Sequence, residues 1–163
     1  GERAAHYLKS KLDIDYRETT PDGEFTLVDE SYNANPASMR AALSLLRETQ
    51  VGGKRIVALG DMLELGPQGP DLHKDLAEAI LAADVDLVFA AGPLMKNMFD
   101  VLPSKIKGVW AETSIDIEKD LIAAIGPYDI VMVKGSNGSR MGPVVAKLKS
   151  VFALRDVDPG AEG

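Results

Sequence analysis

The sequence predicts an α/β fold: a Rossmann-like, doubly wound and mostly parallel sheet of about six strands, with helices on both faces and one antiparallel edge strand. Three observations predict it. Short, near-continuous apolar runs recur at 25–28, 55–59, 86–91, 108–110 and 129–133, the pattern of strands covered on both faces. Between them lie stretches whose apolar residues keep helical spacing. The connections are short, and right-handed strand–helix–strand crossovers distribute helices to both sides of a sheet.

Residues 1–20 are mixed and polar, and their loose alternation reads as an edge strand or linker. Pro21-Asp22-Gly23-Glu24 has turn chemistry and folds that strand back antiparallel onto 25–28. Met39, Leu43 and Leu46, with Ala41 and Ala42 between, mark a helix; Asn35 suits its N-cap and Pro36 its first position. Gly52-Gly53 reads as its stop. After the strand at 55–59, Asp71 is expected to cap a helix over 72–82 that places Leu72, Leu76, Ala79, Ile80 and Ala83 on one face. Gly92-Pro93 opens a short helix through Met95, Met98 and Phe99. Ser114 is expected to cap one carrying Ile117, Leu121, Ile122 and Ile125. The last helix covers 141–154, with Pro143 tolerable only in its first turn. The tail 156–163 is expected to fray. The reading is a single domain over 1–163 with its core at about 20–152, and no internal repeat.

Composition narrows the function classes. A chain of 163 residues with 45% apolar and 26% charged side chains buries a real core and is not disordered. A net charge of −7 argues against a nucleic-acid module and against a polybasic membrane anchor. With no cysteine, disulfides and thiolate metal sites are excluded, as expected of a cytoplasmic protein. No apolar run approaches the ~20 residues of a spanning helix, and no secretory signal is visible. Gly1 in place of methionine is read as a fragment boundary. His6 and His73 are too far apart in sequence to suggest a metal motif.

The polar stretches that invite a function all leave strands, so in a parallel sheet they share one rim. Asp29-Glu30-Ser31-Tyr32-Asn33-Ala34-Asn35-Pro36 is dense in donors and acceptors, and capping explains only two of its residues. Lys134-Gly135-Ser136-Asn137-Gly138-Ser139-Arg140 supplies two cations, three neutral donors and two glycines; it reads either as an anion cradle or as a plain turn and cap. The 60–66 loop holds Asp61 and Glu64, which could meet Mg²⁺ or a substrate ammonium, or be solvated charges. A lone helical His73 reads as a surface or packing residue, the methionines as core or loop packing, and Trp110 as core. The phosphate loop G-x-x-x-x-G-K-S/T is absent, as are G-x-G-x-x-G after the first strand and the serine elbow G-x-S-x-G. Chemistry alone stops at a domain that binds a small anionic or zwitterionic ligand.

Three strings go further. Residues 29–39, the run Ala58-Leu59-Gly60-Asp61-Met62-Leu63-Glu64-Leu65-Gly66, and residues 133–141 together resemble the C-terminal domain of the Mur ligase family, in its D-alanyl-D-alanine-adding branch, MurF. The resemblance covers roughly residues 20–152. It implies a three-domain ATP-dependent ligase of peptidoglycan synthesis that joins D-Ala-D-Ala to UDP-N-acetylmuramoyl-tripeptide through an acyl phosphate. ATP and Mg²⁺ would be held mainly by a central domain not represented in this sequence. By resemblance, Asp29, Glu30, Tyr32 and Asn33 face the nucleotide, with Glu30 standing where the family usually carries Asp. Asn35, Lys134, Ser136, Asn137 and Arg140 face the dipeptide. No catalytic residue, metal or cofactor is expected in this domain alone, which is expected to be cytoplasmic, monomeric, and unable by itself to hydrolyse ATP or ligate. A stand-alone nucleotide or amino-acid binding module is the alternative. A receiver-like signalling domain is a third reading, but the Ser-Asn-Gly-Ser loop has no place in it.

Overall fold

The computed structural model describes residues 14–20, 23–152 and 155–156, with side chains over 25–152. Its elements are β1 (Ile14–Thr20), β2 (Gly23–Glu30), α1 (Pro36–Glu48), β3 (Arg55–Gly60), α2 (Gly69–Ala82), β4 (Leu87–Ala91), α3 (Lys96–Phe99), β5 (Lys107–Ala111), α4 (Glu118–Ala124), β6 (Ile130–Lys134), α5 (Gly142–Phe152) and β7 (Arg155–Asp156). The sheet order is β5-β4-β3-β6-β2-β1-β7. The five strands from β5 to β2 form an all-parallel body. β1 lies antiparallel to β2, Ile14 opposite Asp29 and Thr20 opposite Gly23. It is not the last strand, because β7 pairs outside it at Tyr16 and Arg17. Residues 1–13 with His6, Pro21 and Asp22 of the expected turn, and 157–163 of the expected tail lie outside the described residues; Asp156, counted with that fraying tail, instead pairs with Tyr16 in β7.

The two-residue period of a strand sorts the core into two layers. Val57 and Leu59 of β3, Val88 and Ala90 of β4 and Met132 of β6 pack with Met39, Leu43 and Leu46 of α1, Leu76 and Ile80 of α2, and Met98 of α3. Their alternates, Ile56, Ala58, Phe89, Ala91, Val131 and Val133, pack with Leu121 of α4 and Val144, Val145 and Leu148 of α5. So α1–α3 cover one face and α4–α5 the other. Phe25 and Phe152 meet edge to face at 4.9 Å and fasten the end of α5 to β2. Met39, Met62, Met95, Met98, Met132 and Met141 are all fully buried. Trp110 is only partly buried against the first layer, its indole N–H donating to the Gly92 carbonyl at 2.7 Å.

Several local expectations need correction. α1 ends before Gly52: Thr49 turns extended, and its hydroxyl donates to the Leu45 carbonyl at 2.8 Å. The Arg55 guanidinium donates to the carbonyls of Leu46, Arg47 and Thr49, which satisfies a helix C-terminus from outside it. Asp71 sits inside the first turn of α2, with no side-chain cap. Ser114 opens a 3₁₀ turn, Ser114–Ile117, and caps nothing.

At the amino edge of the sheet, buried Asp129 accepts the N–H groups of Lys54 and Gly126, each at 2.7 Å, and the Lys54 ammonium at 3.1 Å. A Cβ on Gly53 would strike that carboxylate and stand 2.8 Å from the Pro127 carbonyl oxygen. Gly53→Ala should therefore lower the unfolding free energy by about 2 kcal/mol, an overpacking cost against backbone. Gly66→Ala meets open space and only a left-handed φ of 68°, at a cost of about 1 kcal/mol. Urea unfolding of both variants checks the order; equal losses would contradict the close approach at Gly53.

Candidate functional site

Parallel strands end on one edge, so the turns leaving β2, β3, β4, β5 and β6 share a rim. β6 lies between β3 and β2. The chain leaves β2 and β3 toward helices on one face, and leaves β6 toward α5 on the other. Open α/β sheets hold ligands at such a reversal, outside the carboxyl ends of the strands.

Lys134 ends β6 with its side chain buried, 1% exposed. Its ammonium donates to Glu30 Oε1 at 3.2 Å and to the Asn33 carbonyl at 3.0 Å. A desolvated ammonium is tolerable here because a carboxylate and a carbonyl both face it. Two residues on, the Ser136 N–H donates to the Asp61 carbonyl at 3.2 Å. Its hydroxyl accepts the Leu63 N–H at 3.0 Å and donates to the Ala34 carbonyl at 3.2 Å. The exits of β2, β3 and β6 are thus one hydrogen-bonded unit, and Asn33 and Ser136 stand on the same rim. A Cβ on Gly135 would meet Met141 Cγ at 2.7 Å and Gly60 Cα at 3.1 Å, so the β3 and β6 exits touch backbone to backbone.

Of the other expected site residues, Asp29 is buried and Asn35 is exposed but bonded to its own helix start. Asp29 accepts the N–H and hydroxyl of Ser31 on one oxygen, at 2.9 and 2.6 Å. Asn35 forms a capping box with Ser38 at the start of α1, its side chain accepting the Ser38 N–H at 2.8 Å. Tyr32 is exposed, its hydroxyl 3.4 Å from Glu30 Oε2. Asn33, Asn137 and Arg140 are also exposed. Asp61 is buried, its carboxylate accepting the N–H groups of Leu94 at 3.2 Å and Met95 at 2.8 Å, and it presses against Gly92, whose φ is 113°. His73 is fully buried. Its Nε2 accepts the Met62 N–H at 2.9 Å and its Nδ1 lies 2.7 Å from the Gly69 carbonyl. These contacts put the ring proton on Nδ1, as donor to that carbonyl. The helical histidine is a latch for the β3 exit and not a surface residue.

A pocket of about 230 Å³ opens between the β3, β4, β5 and β6 exits, lined among others by Leu63, Gly92, Thr113, Ser114 and Arg140. Of the expected dipeptide residues only Arg140 reaches it. The Arg140 guanidinium makes no hydrogen bond or ion pair among the described residues, and its backbone is left-handed, φ 59°. Ser114, 8% exposed, donates its hydroxyl to the Arg140 carbonyl at 2.8 Å. Sequence reasoning passed over the β5 exit, although Glu112-Thr113-Ser114 is polar and leaves a strand toward the same rim. Among the described residues, no group of three His, Asp or Glu side chains is placed to hold a metal ion. No helix there is long and apolar enough to cross a membrane.

Residues 16–137 match the family model described as Mur ligase, glutamate ligase domain. The UDP-N-acetylmuramoyl-tripeptide–D-alanyl-D-alanine ligase of Rickettsia prowazekii is 30% identical over 73% of this chain and 26% of its own length. The Escherichia coli ligase of the same name is 34% identical over 76% of this chain and 26% of its own. The chain spans 26–32% of the length of the curated relatives it matches. Among solved structures, a MurF from Acinetobacter baumannii superposes with a TM-score of 0.70 at 26% identity, over 85% of this chain and 30% of that one. The MurF of Thermotoga maritima, solved with ADP, shares the fold at a TM-score of 0.68 and 24% identity, over 85% of this chain and 30% of that one.

The buried ties set a stability expectation. Lys134→Met should cost about 3 kcal/mol, since it removes one partner of a buried pair. His73→Leu should cost about 2 kcal/mol through two lost buried hydrogen bonds. Denaturant melts measure both; a loss under about 1 kcal/mol for Lys134→Met would place that pair in the class of weak surface contacts.

Proposed function

We infer the role of this chain from one premise: it belongs to the Mur ligase C-terminal family, the glutamate ligase domain, and is MurF-like. On that premise it is the C-terminal domain of a cytoplasmic ATP-dependent ligase that joins D-Ala-D-Ala to UDP-N-acetylmuramoyl-tripeptide in peptidoglycan synthesis. The observation that carries the reading is Arg140 in the pocket wall, its guanidinium without a hydrogen bond or ion pair among the described residues.

The chemistry asks little of this domain beyond placement. The tripeptide carboxylate is activated as an acyl phosphate by parts of the ligase outside this chain. The dipeptide must then arrive with its carboxylate held and its neutral amine aligned for attack, and holding reactants in that geometry accounts for a large part of a barrier. Arg140 takes the dipeptide carboxylate as a charge-assisted, two-pronged donor, and Asn137 adds a neutral donor beside it. Tyr32 and Asn33, exposed on the β2 exit, meet the nucleotide when the ligase closes. Asp29, Glu30, Asn35, Lys134 and Ser136 shape these loops through the bonds they make with each other and with backbone. The donor set does not suit a bound Mg²⁺: the Asp61 carboxylate is committed to two amides and Glu30 faces an ammonium. The metal and the triphosphate are therefore assigned to the rest of the ligase.

In the full-length protein, release of ADP and phosphate should require both the tripeptide precursor and D-Ala-D-Ala, while this domain alone should be inert toward ATP. A full-length protein that accepts only single amino acids would overturn the assignment. Arg140→Ala should raise the dipeptide KM by about 10- to 100-fold, the worth of a charged hydrogen bond, and leave the ATP KM within about twofold. Steady-state kinetics with each substrate varied in turn separates this from equal losses in both, which would make Arg140 structural.

A further inference from the structure

We propose that Ser114 is a positioning residue that fixes Arg140 for its ligand, an inference that rests on the reading of Arg140 given above. Three observations meet at this bond. Arg140 holds a left-handed backbone, φ 59°, which costs a side-chain-bearing residue about 1 kcal/mol or more. Something must therefore hold it there. Its own N–H donates to the Asn137 carbonyl at a long 3.3 Å, a weak local tie. The turn before it is tied by Ser139, whose hydroxyl donates to the Ser136 carbonyl at 2.6 Å, but the tie on the Arg140 carbonyl itself is remote: the Ser114 hydroxyl, 26 residues away in sequence and on another strand exit, donates to it at 2.8 Å. The 3₁₀ turn that Ser114 opens does not use this hydroxyl: its first backbone bond runs from the Asp116 N–H to the Thr113 carbonyl at 3.2 Å, and the Thr113 hydroxyl donates to Asp116 Oδ2 at 2.8 Å.

The consequence is geometric. Ser114 and Arg140 line the same pocket from the β5 and β6 exits, and this bond joins the two walls. Without it, the left-handed turn at Arg140 can relax toward ordinary backbone, and the guanidinium leaves the direction in which the ligand meets it. Ser114 touches no reacting atom in this scheme; it acts through Arg140.

The test uses the full-length ligase with Ser114→Ala, Ser114→Thr, Arg140→Ala and the Ser114→Ala/Arg140→Ala double variant. The readouts are the KM values for D-Ala-D-Ala and ATP, the melting temperature, and the rate of trypsin cleavage at the Arg140–Met141 bond. Ser114→Ala should raise the dipeptide KM by about three- to tenfold, the net worth of one hydrogen bond, leave the ATP KM unchanged and speed that cleavage. Ser114→Thr, which keeps the hydroxyl, should restore both readouts. In the Arg140→Ala background the serine change should add nothing to the dipeptide KM, because coupled residues are non-additive. A serine effect of full size in that background overturns the proposal. So do a dipeptide KM and a cleavage rate at wild-type values in Ser114→Ala while Arg140→Ala is impaired. An unchanged dipeptide KM in Arg140→Ala instead overturns the reading of the pocket, and the proposal with it.

Discussion

A buried ammonium governs this rim. Lys134 ends the central strand β6, and its charge is taken out of water between Glu30 and the Asn33 carbonyl. Those partners belong to β2 and to the turn that follows it. An ammonium in that position must be met on more than one side, so the β2 exit has to fold over the end of β6. Ser136 then repeats the operation toward β3 with neutral groups. The loops that could have been mobile ligand-binding segments are in this way part of the folded frame. What is left to face a ligand is a smaller set of side chains standing on that frame.

This division recurs around the edge. Asp61 uses its carboxylate to hold the start of the β4 exit, and His73 holds the residue that follows Asp61. Groups that elsewhere serve as acids, bases or metal ligands are here committed to backbone amides and carbonyls. That suits a domain whose proposed contribution is placement. Placement tolerates little slack, since small displacements of a bound group cost large factors in rate.

Much of the frame was legible in the sequence. Near-continuous apolar runs and helices with period 3.6 reported the alternation of strand and helix, and the all-parallel body follows from their order. Asn35 and Pro36 announced the start of α1, and the methionines went to the core. The misreadings share one physical cause. A sequence displays donors and acceptors but not their partners, and the decisive partners here are remote: Lys134 and Glu30 are 104 residues apart, Leu63 and Ser136 are 73 apart. Local rules therefore assigned Ser114 to a cap beside it, when its hydroxyl serves a carbonyl on another loop. They ended α1 at glycines, when Arg55 had already closed it. Lys134 looked like a ligand cation because its type and position fit one, and only burial reveals that its charge is already met.

The contact between Gly60 and Gly135 limits how this pocket can be remodelled. A Cβ on either glycine would run into Ser139 and Met141, so neither turn can gain a side chain at that point without displacing those two residues and disturbing the core layer that holds Met141. Variation in what the cavity admits, in related proteins or in the laboratory, is thereby steered away from that seam and from Gly92, where a Cβ would strike the Asp61 carboxylate, and toward the segment after β5.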